Sequence, residues 1–192
     1  KITLKKAKLI IYASDYAAIS AIKKYKIPKN KIKILPFGVD LKPLNKMKFR
    51  LLKKERNITK KTETIFLSVG VDWERKNMHK SIKVIEKLNL LNMKSKIIIV
   101  GSIPPSEYEI PDYVKIIPFL NKNNKREKNI LHNLYSKSHY FILLSKAEAF
   151  GIVINEASCY GLPVITSNID GLKYVADKKY SILNNKNLSP SK

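Results

Sequence analysis

Apolar positions along this chain change their spacing from block to block, and the spacing names the elements. TIFLSVG (64–70), KIIIVG (96–101), YVKIIPF (113–119), HYFILLS (139–145) and PVITS (163–167) are short, nearly unbroken apolar runs rich in β-branched residues, the mark of buried strands. Between them apolar residues return every three or four positions. MHKSIKVIEKLNLL (78–91) sets Met78, Ile82, Ile85, Leu88 and Leu91 on one helical face. REKNILHNLYS (126–136) turns Ile130, Leu131, Leu134 and Tyr135 inward, while GIVINEASCY (151–160) and GLKYVAD (171–177) predict two further helices. Strands apolar on both faces and separated by helices belong to a parallel sheet covered on both sides. The expected fold class is therefore α/β, a doubly wound parallel sheet whose ligand lies beyond the carboxyl ends of the strands.

Ahead of this alternation stand smaller pieces. KLIIYA (8–13) predicts a buried strand and KIKIL (31–35) a second. SDYAAISAIKKYKI (14–27) predicts a helix capped by Ser14 or Asp15, with Tyr16, Ile19, Ile22 and Tyr25 on one helical face. PFGVD (36–40) then turns on Pro36 and Gly38. A strand, helix and strand cannot close a core alone, so residues 1–44 read as the end of a preceding domain. LKKERNITKKTET (52–64) is a long polar run, and 45–63 reads as a linker into a main domain over 64–192. The end, NNKNLSPSK, reads as a frayed tail.

Charge narrows the partners. The net charge is +23, which invites nucleic acid, yet only Arg50, Arg56, Arg75 and Arg126 interrupt the lysines among 38 basic residues. Surfaces that read bases or clamp phosphates lean on arginine's planar fork, so nucleic acid is not expected. Solvated lysine faces fit better. An anionic membrane surface fits too, at roughly 1 kcal/mol per well-placed lysine. No run approaches the ~18 apolar residues that span a bilayer. The single cysteine, Cys159, fits a reducing compartment, and the chain reads as cytoplasmic, with room for a peripheral place on the inner membrane face.

Two stretches carry candidate chemistry, both just after strands. In GVDWERKN (70–77) Gly70 permits a sharp turn, and Arg75 and Lys76 follow in a loop where they would suit a diphosphate; an ordinary charged turn reads the same way. EAFGIVINE (148–156) is more specific. Gly151 opens a helix whose first free amides, at 151–153, form an anion site, worth roughly 0.3–1 kcal/mol through the helix dipole. Glu156, about one turn in, can accept hydrogen bonds from ribose hydroxyls, and Glu148 points at whatever hangs off the diphosphate. The plainer alternative is that both acids favour the helix start electrostatically. No metal-ligand spacing links His79, His132 and His139, no Asp-x-Asp clamp is present, and neither GxGxxG nor a P-loop motif occurs.

LLSKAEAFGIVINEASCYGLPVITSNIDG (143–171) resembles the donor-binding signature of the group 1 glycosyltransferases, the family-4 retaining enzymes of GT-B fold. ILPFGVD (34–40), IFLSVGVDWERKN (65–77), IIIVGSIPP (97–105) and VKIIPFL (114–120) are similar to further family segments in the family's order. The resemblance implies a nucleoside-diphosphate sugar as donor, a glycan or lipid-linked acceptor, and neither a metal nor another cofactor. It assigns Glu148, Arg75 and Lys76 to catalysis. Gly70, Arg75, Lys76, Phe150, Gly151, Ile152, Val153 and Glu156 would bind the donor, with Glu156 on the ribose. Val71 replaces the family's usual arginine, which shifts the phosphate contact to Arg75, and Asn77 replaces its loop glycine. The resemblance also implies that 64–192 lacks the family's closing crossover helix. A donor-binding module without turnover is the alternative reading.

Overall fold

Every strand pair among the described residues is parallel, as strands apolar on both faces require. The computed structural model describes residues 4, 6–40, 44–55, 63–169, 171–176 and 181–184. Strands β1 (Ile10–Tyr12) and β2 (Ile32–Ile34) pair with each other, and helix α1 (Asp15–Tyr25) lies between them in sequence. A six-stranded sheet holds β3 (Thr64–Val69), β4 (Ser95–Val100), β5 (Val114–Ile117), β6 (Tyr140–Leu143), β7 (Val164–Ser167) and β8 (Ser181–Asn184). Their spatial order is β5-β4-β3-β6-β7-β8. Chain direction along the sheet reverses between β3 and β6, which creates a crevice beyond their carboxyl ends.

Helices cover both faces, as expected for a doubly wound sheet. Phe66, Ile97, Ile99, Ile142 and Leu144 pack against Met78, Ile82 and Ile85 of helix α4 (Met78–Leu90). On the other face Leu67, Val69, Phe141 and Leu143 meet Leu131 and Tyr135 of α5 (Lys125–Lys137) and Ile154, Ala157 and Tyr160 of α6 (Ile152–Cys159) and its end. Each fully buried aliphatic side chain contributes about 1.5–3 kcal/mol relative to exposure. The alternation of contacts along β3 is the pleat itself.

Several local expectations are corrected. The expected linker opens with helix α2 (Lys46–Glu55). Its Phe49 lies on Gly161, where a Cβ would fall 2.1 Å from the ring. On α1 the inner face is Ala18 and Ala21, each 3% exposed, whereas Tyr16, Ile19 and Tyr25 are exposed. Small residues let that helix approach its strands closely. β1 alternates, Ile10 buried and Ile11 exposed. Ile130 and Leu91 also face outward, the latter because α4 ends at Leu90. β8 extends the sheet beyond the strands foreseen. The middle of the linker (56–62) and the tail beyond Asn184 lie outside the described residues.

Candidate active site

The first wall of the crevice grows from the end of β3. Gly70 donates its N–H to Val100 O at 2.9 Å and accepts from Ser102 Oγ at 2.7 Å, so its backbone is fixed. Asp72, at φ +71, accepts the N–H of Arg75 at 3.0 Å. That cap winds the expected loop into one helical turn, α3 (Trp73–Lys76). Arg75's backbone N–H, in turn, holds the Asp72 carboxyl below its usual range. Asn77 ends the turn at φ +57, a left-handed position that asparagine tolerates better than most residues and that explains the residue standing for the family's glycine. Its Nδ2 donates to Leu144 O at 3.0 Å. A Cβ on Gly70 would stand 2.9 Å from Cε of Lys76. Lacking one, Gly70 lets the Lys76 side chain fold back over the strand end, where it is buried.

The second wall is the segment after β6. Lys146 donates its N–H to Arg75 O at 2.8 Å, and Gly171 donates to Glu148 O at 3.0 Å. Ala149 O accepts from Ser14 Oγ at 3.3 Å, which ties this loop to the start of α1. These bonds aim Glu148 at the first wall. Its Oε2 takes an ion pair from Lys76 Nζ and lies 3.4 Å from Arg75 Nη1. Arg75 Nη1 also reaches Ala147 O at 3.4 Å, and its Nε reaches Asp72 Oδ2 at 3.2 Å. Gly151, at φ +75, begins α6 without a side-chain cap; a Cβ there would meet Glu148 Cγ at 3.6 Å and Leu172 Cδ2 at 2.5 Å. Phe150 is buried edge-on to Phe37, ring centres 5.3 Å apart; Ile152 is exposed and Val153 half-buried.

Arg75, Lys76, Glu148 and the Gly151 helix start thus converge at the switch point. Glu156 stands apart in character. It is 1% exposed, its Oε2 accepts from Tyr135 OH at 2.9 Å, and its Oε1 is ion-paired with Lys122. Tyr135 is itself buried, and that burial, with Glu156 adding to it, raises its phenol well above the usual range. Beside Phe150 a cavity of about 190 Å³ opens, with Ser14, Asp15, Ile34, Pro36 and Asn155 among its walls. Sequence reasoning placed Tyr135 inward for packing only. It passed over Lys122, hidden in the polar run NKNNK, and over Ser14 as parts of the site, and it took in Gly171 only as the last residue of the signature. Among the described residues no three His, Cys, Asp or Glu side chains form a group that could hold a metal, and no helix is long and apolar enough to cross a membrane.

A parallel sheet of this order, with a cationic turn facing a glycine-started helix across its switch point, defines a Rossmann-like unit of the GT-B type. The chain belongs to the group 1 glycosyltransferases: the profile of the family described as "Glycosyl transferases group 1" matches residues 49–190. It is 30% identical over 175 residues to the O-antigen chain mannosyltransferase RfbU of Salmonella typhimurium, covering 88% of this chain and 44% of the relative. To the lipopolysaccharide glucosyltransferase WaaG of Escherichia coli it is 28% identical over 160 residues, covering 81% and 42%. The chain therefore spans less than half the length of both curated relatives. The crystal structure of WaaG superposes with a TM-score of 0.71 at 22% identity, over 93% of this chain and 50% of that one. HepE of Anabaena, solved in complex with UDP and glucose, gives 0.66 at 18%, over 93% and 49%.

Proposed function

We propose that this chain carries the donor-binding half of a glycosyltransferase that moves a hexose from a nucleoside-diphosphate sugar to a glycan or lipid-linked acceptor, with retention of configuration. One observation carries the reading: two cations, Arg75 and Lys76, meet Glu148 beside the uncapped helix start at Gly151. In this reading the amides at 151–153 take the diphosphate. Arg75 and Lys76 stabilise the negative charge that grows on the leaving phosphate oxygen as the glycosyl bond breaks, without a metal. Gly70 gives Lys76 its place. Glu148 faces the anomeric centre and keeps both cations ordered until the donor arrives. Phe150, Ile152 and Val153 frame the sugar and diphosphate, and Glu156 holds the ribose. The cavity beside Phe150 gives the acceptor a route to the sugar. The high lysine content suits a parent protein on an anionic membrane surface rather than nucleic acid.

Calorimetric titration of the chain with UDP-, GDP- and ADP-hexoses tests donor binding. One of them binds saturably, and Lys76→Met weakens that binding. If none binds, the donor reading is wrong. Proton NMR of the new glycosidic linkage tests retention, since an inverted anomer contradicts it.

A further inference from the structure

Glu156, as it stands, cannot touch a ribose. Both carboxylate oxygens are occupied and almost none of the residue meets solvent. Its two partners differ in kind. Tyr135 is fixed behind it, stacked between Phe141 and Tyr160 at ring-centre distances of 6.1 and 5.3 Å. Lys122 lies in the segment between β5 and α5, with a side chain 32% exposed against 1% for Glu156. Of the two partners, Lys122 is the one that meets solvent.

Resting on the donor reading above, we propose that Lys122 is a latch: in the free protein its ammonium occupies the place that the ribose hydroxyls take in the complex, and nucleoside binding exchanges one for the other. The exchange is local. The backbone on either side of Lys122 is pinned, Asn121 N to Glu127 Oε2 at 2.6 Å and Asn123 N to Asn121 Oδ1 at 2.9 Å, so only the side chain has to swing. An acidic group also stands within electrostatic reach of Lys122. Asp40, exposed and ion-paired with Lys128 at 2.7 Å, is near enough that Lys122 adds to the lowering of its carboxyl pKa, after the larger effect of Lys128. The carboxylate loses an ion pair and gains two charge-assisted hydrogen bonds from a vicinal diol, while Tyr135 keeps it aimed throughout. Lys122 thereby makes the nucleoside contribute less to affinity than its contacts alone would give.

Residue-resolved labelling with an amine-reactive reagent, read by mass spectrometry on the full chain, tests this. At a saturation established by calorimetry, whichever of UDP, GDP and ADP binds raises Lys122 labelling severalfold. Inorganic pyrophosphate leaves Lys122 unchanged. Protection of Lys122 by the bound nucleotide, or no change there at saturation, overturns the latch alone. No calorimetric binding of any of the three nucleotides overturns the donor reading and the latch with it. The variant Lys122→Ala supplies a second measure. It binds the same nucleotide up to about fivefold more tightly, the span of a partly exposed ion pair, with pyrophosphate affinity unmoved. Weaker nucleotide binding by Lys122→Ala contradicts the exchange.

Discussion

Gly171 and Ala149 touch backbone to backbone: a Cβ on Gly171 would fall 1.8 Å from Ala149 O, while the N–H of Gly171 bonds Glu148 O at 3.0 Å. The turn before α7 (Leu172–Val175) therefore sets the height of the loop that carries Glu148. Gly171→Ala must push that loop away, because the obstacle is a carbonyl and not a movable side-chain tip. Overpacking of this kind costs about 1–3 kcal/mol. The expected result is a lower urea midpoint together with weaker donor binding, measured by equilibrium unfolding and calorimetry. A variant that keeps both values would mean the loop has slack the structure does not suggest.

The sheet was legible because its strands are apolar on both faces, and that pattern has few other solutions. The convergence of Arg75, Lys76 and Glu148 was legible only in part. Sequence places each just past a strand, but that β3 and β6 are neighbours follows from topology. What misled was orientation on small elements. Tyr16, Ile19 and Tyr25 make a bulky stripe, yet Ala18 and Ala21 are the buried positions, since periodicity gives a face without saying which side packs. Helix α2 was concealed by its lysines, and its contact of Phe49 with Gly161 spans over a hundred residues. The pairing of Lys122 with Glu156 had no sequence mark at all.

Ser81 sits in the first turn of α4, wholly buried, and its hydroxyl has no hydrogen-bond partner. A buried polar atom left unsatisfied loses its hydration without compensation, and serine is also a poorer helix former than alanine. Ser81→Ala should stabilise the protein by about 1 kcal/mol, seen as a higher urea midpoint with an unchanged slope. Destabilisation instead would reveal a partner for this hydroxyl.

Tyr160 ends α6 against Tyr135 and His132, and its phenol is pushed up to about 12 by burial first, with Cys159 and Glu156 adding to it. A raised pKa contributes stability that is intact below the unfolded value near 10 and is lost as pH climbs through the folded one. Urea midpoints should therefore drop between about pH 10 and 12. Lysine deprotonation acts in the same window, so the informative quantity is the difference between two proteins. Tyr160→Phe should lose stability less steeply with pH than the parent, whatever its starting value. Parallel curves would show that Tyr160 does not titrate differently on folding.

Gly70 and Lys76 allow function to be separated from folding most cleanly. The atoms nearest a Cβ on Gly70 are the Cε, Cδ and Cγ of Lys76, at 2.9, 3.3 and 3.4 Å. These belong to a flexible side chain, so Gly70→Ala displaces Lys76 without forcing the backbone. Alanine also lowers the entropy of the unfolded chain, worth about 0.4–1 kcal/mol where the backbone conformation suits it. The unfolding midpoint should consequently change little. Lys76 Nζ, however, leaves the position in which Glu148 holds it, and misplacement of a charge-stabilising group by even ~1 Å can cost about a hundredfold in rate. Transfer by the complete enzyme should fall at least tenfold in Gly70→Ala, approaching Lys76→Met, where loss of the ammonium removes about 2.7–4 kcal/mol of transition-state stabilisation. Gly70→Ala at full activity with a normal midpoint would mean that the placement of Lys76 over the strand end is incidental to catalysis, and Lys76→Met would then have to be explained through binding alone.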